Sequence, residues 1–167
     1  IPTLGRSKSA PGWSPDSKNL AFVISMSGNP DIYNYNLKNK KISRLTSHYG
    51  IDTEPAWSPD GKKLLFTSNR SGSPQIFEIK ISNKRIKRVT LDGSYNARAR
   101  FFPDGKNIVF VHGNNGIFHI ATRNLKDRFV NIVTKTTLDE SPTISPNGHI
   151  VILSLIHISE PTRRLNI

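Results

Sequence analysis

A short motif that recurs at a nearly constant interval constrains this chain more than any other feature. Its clearest copy, PAWSPDGKKLLF, occupies residues 55–66, and altered copies occupy residues 11–22, 99–110 and 142–152. The turn prolines of the four copies are 44, 44 and 43 residues apart: Pro15, Pro59, Pro103 and Pro146. A repeat of this length is typical of the four-stranded blades of a β-propeller. We therefore predict an all-β repeat protein.

The motif itself predicts a tight turn between two strands. Proline presets φ, aspartate accepts a hydrogen bond from its own backbone two residues on, and glycine adopts positive φ. Residues 58–61, Ser-Pro-Asp-Gly, should therefore join a short strand carrying Trp57 to a strand over residues 63–68. The large apolar residue two positions before each proline should pack between neighbouring blades. These residues are Trp13, Trp57, Phe101 and Ile144.

The spacing divides residues 11–153 into blades that start near residues 11, 55, 99 and 142, after a partial segment at 1–10. Blades one to three each offer four short strands with alternating apolar and polar residues. In blade three the central hairpin turn shortens to residues 112–116. The fourth blade reaches only its second strand. Propellers usually close a ring of four to eight blades, so about three and a half four-stranded blades indicate part of a larger ring.

Residues 154–167 depart from the repeat pattern. No turn like those at 27–30 and 71–74 follows the preceding strand. Residues 153–163, LSLIHISEPTR, resemble the translated sequence of a transposase adapter used in DNA library preparation. We expect a non-native tail here; the alternative is a divergent strand with a genuine C-terminal extension. We assign no function to His157 or Glu160.

The composition bears on possible partners. The chain has 167 residues, no cysteine and a formal net charge of +12. Such a charge raises the alternative of a propeller that binds polyanions. We instead interpret the lysines and arginines as solvated turn and outer-strand residues, because they are spread along all the blades. No apolar run approaches the ~18 residues of a membrane span. We predict no nucleic-acid partner and no membrane insertion.

The sequence carries no recognisable catalytic motif. It contains neither Gly-x-Ser-x-Gly nor His-Glu-x-x-His, and its five histidines lack the spacing of metal ligands. His48 and His112 should lie in or near loops and be solvated. Four aspartates should likewise be solvated turn residues rather than cation ligands: Asp31, Asp52, Asp92 and Asp139. The prediction is a protein that is not an enzyme and has no cofactor or metal.

Three segments in successive register resemble the β-propeller of the TolB family, which belongs to the bacterial Tol–Pal envelope system. They are Thr53-Glu54-Pro55, Gly93-Ser94-Tyr95-Asn96 and Leu138-Asp139-Glu140-Ser141-Pro142. The resemblance covers about residues 5–153. The Ser-Pro-Asp-Gly turn alone is weakly specific, because many propellers share it. The alternative is therefore the propeller gating domain of a prolyl-oligopeptidase-like serine peptidase.

The resemblance implies a six-bladed ring, preceded by a small α/β domain that these 167 residues do not include. It also implies a periplasmic, non-catalytic scaffold that docks the peptidoglycan-associated lipoprotein Pal. Such a scaffold supports outer-membrane integrity and cell division. Other Tol proteins would bind through the N-terminal region.

The resemblance also implies where Pal would dock. The docking face surrounds the mouth of the central channel, where loops lead into the innermost strands. Seven partner-binding residues are implied: Ala10, Thr53, Glu54, Asn96, Arg98, Asp139 and Glu140. Ser7 stands where the family has histidine, and Arg98 and Arg100 make this rim more basic than the family pattern.

Overall fold

A computed structural model describes residues 7–26, 28–127, 129–155 and 162–166. These residues form fifteen strands and no helix, arranged in four antiparallel sheets. The first sheet contains β1 (Ser7–Trp13), β2 (Asn19–Met26), β3 (Asn29–Asn36) and β4 (Ile42–Arg44). The second contains β5 (Asp52–Trp57), β6 (Lys63–Ser68), β7 (Gln75–Lys80) and β8 (Ile86–Arg88).

The remaining strands form two further sheets. The third contains β9 (Tyr95–Phe101), β10 (Asn107–Asn114), β11 (Ile117–Asn124) and β12 (Asn131–Ile132). The fourth contains β13 (Asp139–Ile144), β14 (Ile150–Leu155) and β15 (Thr162–Asn166). Strands follow one another in chain order within every sheet. The sheets pack side by side as blades of an open arc, which confirms the predicted all-β partial propeller.

The repeated turn has the chemistry that its sequence predicts. The Ser58 hydroxyl donates to Asp60 Oδ1 at 2.6 Å and accepts from the Lys63 amide at 2.9 Å. Asp60 Oδ1 also accepts from the Lys62 amide at 3.0 Å, and Gly61 has φ 67°. The hydrogen bond from Ser58 is the main reason why the pKa of Asp60 is lowered. The turn therefore satisfies its own polar groups at the end of each inner strand.

The hairpin in blade three is tighter than the sequence suggested. β10 extends to Asn114, so that only Asn115 and Gly116 connect it to β11. Their φ values are 51° and 79°. Positive φ at both central residues defines a type I′ turn, whose twist matches that of the flanking strands. The predicted turn at residues 112–116 thus becomes two residues long.

The core lies between the blades. One cluster joins Ala21 and Ile32 of the first blade to Leu64 and Phe66 of the second. Equivalent clusters fill the next two junctions.

The apolar residues before the turn prolines lie at these junctions as predicted, with one exception. The Trp57 indole donates to the Gly12 carbonyl of the preceding blade at 3.0 Å, and Phe101 and Ile144 belong to the next two clusters. Trp13, in the first blade, is 59% exposed.

The fourth sheet has one strand more than expected. β15 pairs with β14 through five registered residue pairs, so the sheet has three strands rather than two. The free edge of β14 offers amide and carbonyl groups that can pair with an extended segment of almost any sequence. This pairing therefore does not depend on the repeat. That residues 154–167 are non-native stays a prediction.

Candidate functional site on the innermost strands

Each innermost strand contains a β-bulge at the same repeat position. The pairing register shifts between Ser9 and Gly12 in β1, Thr53 and Ala56 in β5, and Glu140 and Thr143 in β13, with an equivalent shift in β9. Three bulge residues have positive φ without being glycine: Glu54 (57°), Arg98 (56°) and Ser141 (52°). This conformation costs about 1–2 kcal/mol for an L-residue. Strain of this kind concentrates at functional sites.

The bulges bring residues of three blades into one polar group, here called the bulge cluster: Glu54, Arg98, Glu140 and Ser141. The guanidinium of Arg98 lies at its centre. Its Nε is 3.1 Å from Glu54 Oε1, and its Nη1 is 2.6 Å from Glu140 Oε2 and 2.7 Å from Ser141 Oγ. The cluster therefore links blades two, three and four at their inner edges.

Glu54 also holds the backbone of the neighbouring bulge. Its Oε2 accepts hydrogen bonds from the Thr67 hydroxyl at 2.7 Å and from the Arg98 amide at 3.0 Å. Because a bulge leaves a residue outside the ladder, the Arg98 amide finds its acceptors in side chains: Glu54 Oε2 and, at 3.1 Å, Thr67 Oγ1. The side chain thus has a structural role as well as a charge.

The cluster is partly exposed and electrostatically coupled. The side chains of Glu54, Arg98 and Glu140 are 26%, 34% and 40% exposed. Partial burial by itself would lower the pKa of Arg98, but Glu140 and Glu54 outweigh it and raise that pKa. Burial, reinforced by the charge of Glu54, raises the pKa of the nearby Tyr95. The two carboxylates therefore hold Arg98 charged, and the charges are available to a partner.

The other implied partner-binding residues are divided between the inner surface and the blade interior. Thr53 is half-buried on β5, and Ala10 lies in β1 within the equivalent register shift. Asn96 and Asp139 are fully buried. Asn96 donates to Gln75 Oε1 at 2.9 Å, and Asp139 Oδ1 accepts from the Thr136 hydroxyl at 2.6 Å. These two residues position the strands and are not presented to a partner.

The prediction that all four aspartates are solvated was wrong for three of them. Asp31, Asp52 and Asp139 are at most 2% exposed, and they lie in strands. Asp31 is bonded to Arg44, and Asp52 accepts from Arg70 Nη2 at 2.6 Å. The strands extend further into the expected loops than the pattern suggested, so these carboxylates fall within paired strands. Asp92, the fourth aspartate, is exposed as expected.

The expectation for His112 was also wrong. His112 lies within β10 rather than in a loop and is half-buried, with its Nδ1 2.8 Å from Asn96 Oδ1. His48 does lie in a loop, where its Nδ1 accepts from the Gly50 amide at 2.9 Å.

Sequence reasoning missed Ser141, Thr67 and Arg70. The repeat interval itself was a usable signal for Ser141, which follows Arg98 by one period and has the same backbone conformation. Arg70 gave no such signal. Its guanidinium carbon lies 5.2 and 5.1 Å from the ring centroids of Phe66 and Phe77. That contact depends on the fold of blade two.

The described residues offer neither a cluster of metal ligands nor a membrane-spanning helix. No group of three or more His, Cys, Asp or Glu side chains in this part of the chain is arranged to hold a metal ion. Within the same ranges, the structure has no helix that is long and apolar enough to span a membrane.

The meander sheets, their side-by-side packing and the bulged inner strands define a section of a β-propeller. A family model described as "TolB beta propeller domain" matches residues 3–165. The chain belongs to this family.

Individual relatives agree with this assignment. The Tol-Pal system protein TolB of Ruthia magnifica subsp. Calyptogena magnifica is 56% identical over 154 residues, which is 92% of this chain and 36% of that protein. The crystal structure of TolB from Acinetobacter baumannii superimposes with a TM-score of 0.87 at 42% identity, covering 94% of this chain and 40% of that one. The chain therefore spans less than half the length of these relatives.

More distant structures share the fold alone. A crystal structure of puromycin hydrolase matches with a TM-score of 0.78 at 12% identity, covering 96% of this chain and 27% of that one. Identity at this level shows a common propeller architecture and assigns no activity.

Proposed function

We propose that this chain is part of the propeller of a non-catalytic, periplasmic scaffold of the Tol–Pal system that docks Pal on the inner-strand face. In this role it supports outer-membrane integrity and division, and other Tol proteins bind elsewhere on the same scaffold. Membership of the TolB family supports the assignment of this chain to the Tol–Pal system. The observation that supports the proposed location of the docking surface is the bulge cluster, where Arg98 of blade three bonds side chains of blades two and four.

The bulge cluster is suited to binding a protein. Its charged groups are held by rigid strands and by one another, so that little side-chain entropy is lost on association. A standard interface buries about 1,600 Å² in total, which requires contacts beyond the cluster. Ala10 and Thr53 flank it along the inner strands and extend the proposed contact surface.

Glu140 tests this proposal more cleanly than Glu54 does. Replacing Glu54 would remove one of the two acceptors of the Arg98 amide and the acceptor of the Thr67 hydroxyl. Glu140 is 40% exposed, and its described side-chain bond is the ion pair with Arg98. Arg98 keeps its contact with Glu54 when Glu140 is changed.

The proposed test is titration calorimetry of Pal, from the bacterium that encodes this chain, against the wild type and Glu140→Lys. We expect at least a tenfold loss of affinity, since a like charge placed opposite a complementary site costs about 1.4 kcal/mol or more. The matched control is Asp127→Lys. Asp127 is an exposed carboxylate in the loop after β11, at the opposite end of the blade.

Folding is checked by thermal unfolding of all three proteins. The proposal is supported if Glu140→Lys alone loses affinity while the melting temperatures agree. Unchanged affinity of folded Glu140→Lys would remove the bulge cluster from the Pal-binding surface.

A further inference from the structure

The outer edges of the first two blades carry a concentration of positive charge that the proposed docking face does not use. Residues 36–46, around β4, contain four Lys or Arg and no carboxylate. Residues 80–90, around β8, contain five and again no carboxylate. We infer that this surface, here called the basic rim, binds the anionic headgroups of a lipid bilayer peripherally.

The side chains of the basic rim are largely free of charge partners. Arg44 pairs with buried Asp31, and Lys87 pairs with buried Glu78. Seven exposed cations form no ion pair with any described residue: Lys38, Lys40, Lys41, Lys80, Lys84, Arg85 and Arg88. Their charge is therefore available to an external anionic surface.

The two blades contribute to one continuous surface. The Lys84 ammonium, in the turn before β8, donates to the carbonyl of Arg44 at the end of β4 at 2.9 Å. β4 and β8 are the outermost strands of adjacent sheets. The turns that precede them, at residues 37–41 and 81–85, thus project at the same end of neighbouring blades.

Blade three provides an internal comparison. Its corresponding segment, residues 124–134, contains Lys126 and Arg128 but also Asp127, so that its net charge is only +1. The same strand arrangement therefore does not require a basic edge. Among the first three blades, the basic rim therefore lies on blades one and two.

The backbone of the two turns gives a second, independent observation. Lys40 and Lys84 occupy equivalent positions with φ of 58° and 55°. Gly or Asn is favoured in this left-handed conformation, which other residues adopt at a cost. Both turns nevertheless place lysine there, beside Asn39 and Asn83, whose side chains accept from the backbone of the same turn. Such strain is a feature of functional positions.

The composition of the basic rim favours lipid headgroups over nucleic acid. Residues 36–46 and 80–90 contain no aromatic side chain, whereas single-stranded nucleic acids are bound by stacking on aromatic residues. The rim lies along the outermost strands of two sheets, with its cations exposed. Clusters of four to eight cations bind anionic bilayers by electrostatic attraction. The contact needs no apolar insertion.

The test is sedimentation of the 167-residue chain with phosphatidylcholine vesicles that contain about 30% phosphatidylglycerol, at low salt. The test variant is Lys40→Gln/Lys41→Gln/Lys84→Gln/Arg85→Gln. Its matched control is Lys18→Gln/Lys62→Gln/Lys106→Gln/Lys126→Gln, which removes four exposed charges from other turns. We expect the rim variant to lose at least tenfold in vesicle affinity and the control less than threefold. Wild-type binding should fall steeply with added salt.

Three outcomes would overturn the inference. The first is no wild-type binding to the anionic vesicles at low salt. The second is an equal loss in both variants, which would assign binding to net charge. The third is duplex DNA binding as tight as vesicle binding with the same loss in the rim variant, which would make the site a polyanion site. Thermal unfolding shows whether each variant is folded. The result is independent of Pal binding, because neither variant alters the bulge cluster.

Discussion

Threonine hydroxyls join the segment that follows the outermost strand of a blade to the third strand of the same blade. The hydroxyls of Thr46, Thr90 and Thr134 accept from the amides of Ile32, Ile76 and Ile120 at 3.0, 2.9 and 2.9 Å. Thr90 also donates to Gln75 Oε1, which accepts from Asn96 of blade three. His112 ends this chain of hydrogen bonds through Asn96 Oδ1. Such buried networks are costly when one member is lost.

The position of His112 predicts a pH-dependent stability. Burial, with a smaller contribution from His119, holds the pKa of His112 below its ordinary value of about 6.5, although Asp92 opposes this. As pH falls below about 6.5, the unfolded chain takes up the proton first. The free energy of unfolding should therefore decrease down to the folded-state pKa and level off below it. Denaturant unfolding between about pH 7.5 and pH 5 measures this change.

The control for this prediction is a second histidine. Replacing His112 with Gln should reduce the pH dependence, whereas replacing exposed His149 with Gln should leave it unchanged. Identical pH profiles for the wild type and His112→Gln would show that another group titrates.

At the scale of elements, the loop between blades two and three depends on a close approach of backbone to side chain. Gly93 has φ 78°, and a Cβ built there would lie 2.5 Å from His112 Cε1 and 3.0 Å from the Gly113 carbonyl oxygen. Its own carbonyl accepts from Gln75 Nε2 at 3.2 Å. The loop therefore packs directly on the β10 strand.

Gly93→Ala should destabilise the fold by about 2 kcal/mol or more, because it adds a steric clash to the strain of positive φ. Gly116→Ala is a close control, since Gly116 has φ 79° with no atom within 4 Å of its built Cβ. The control should lose only the conformational part, about 1 kcal/mol. Urea unfolding of both variants gives the comparison. Equal losses would show that the loop moves away from His112 without cost.

At the scale of the whole molecule, the blades are held together by apolar clusters and by directed hydrogen bonds. Trp57 combines both, because its ring packs against the cluster between blades one and two and its indole N–H bonds Gly12. Trp13 has the same repeat position but is 59% exposed. Trp57 therefore lies at a junction between blades, whereas Trp13 lies on an exposed surface.

Trp57→Phe should reduce the free energy of unfolding by about 1–3 kcal/mol, since it removes the hydrogen bond to the half-buried Gly12 carbonyl and removes packing. Trp13→Phe should change it by less than about 0.5 kcal/mol. Thermal unfolding followed by circular dichroism measures both. A larger loss for Trp13→Phe than for Trp57→Phe would contradict the observed junction.

The sequence alone determined the features that are local or periodic. The 44-residue interval predicted the blades, and the Ser-Pro-Asp-Gly chemistry predicted the turns, because proline, aspartate and glycine act on their own backbone. The same interval correctly assigned Trp57 to a blade junction. The family resemblance singled out Glu54, Arg98 and Glu140, and their role in binding Pal stays a prediction.

Only the tertiary structure decided which of these residues meet. Glu54 and Arg98 are 44 residues apart, and Arg98 and Glu140 are 42 apart, yet they bond directly because the bulges of adjacent blades face one another. The ion pair of buried Asp52 with Arg70 likewise joins residues that are 18 positions apart. The charge pattern of a sequence shows only which charged side chains are present. Pairing and burial arise from contacts between segments that are distant in the chain, which no local pattern encodes.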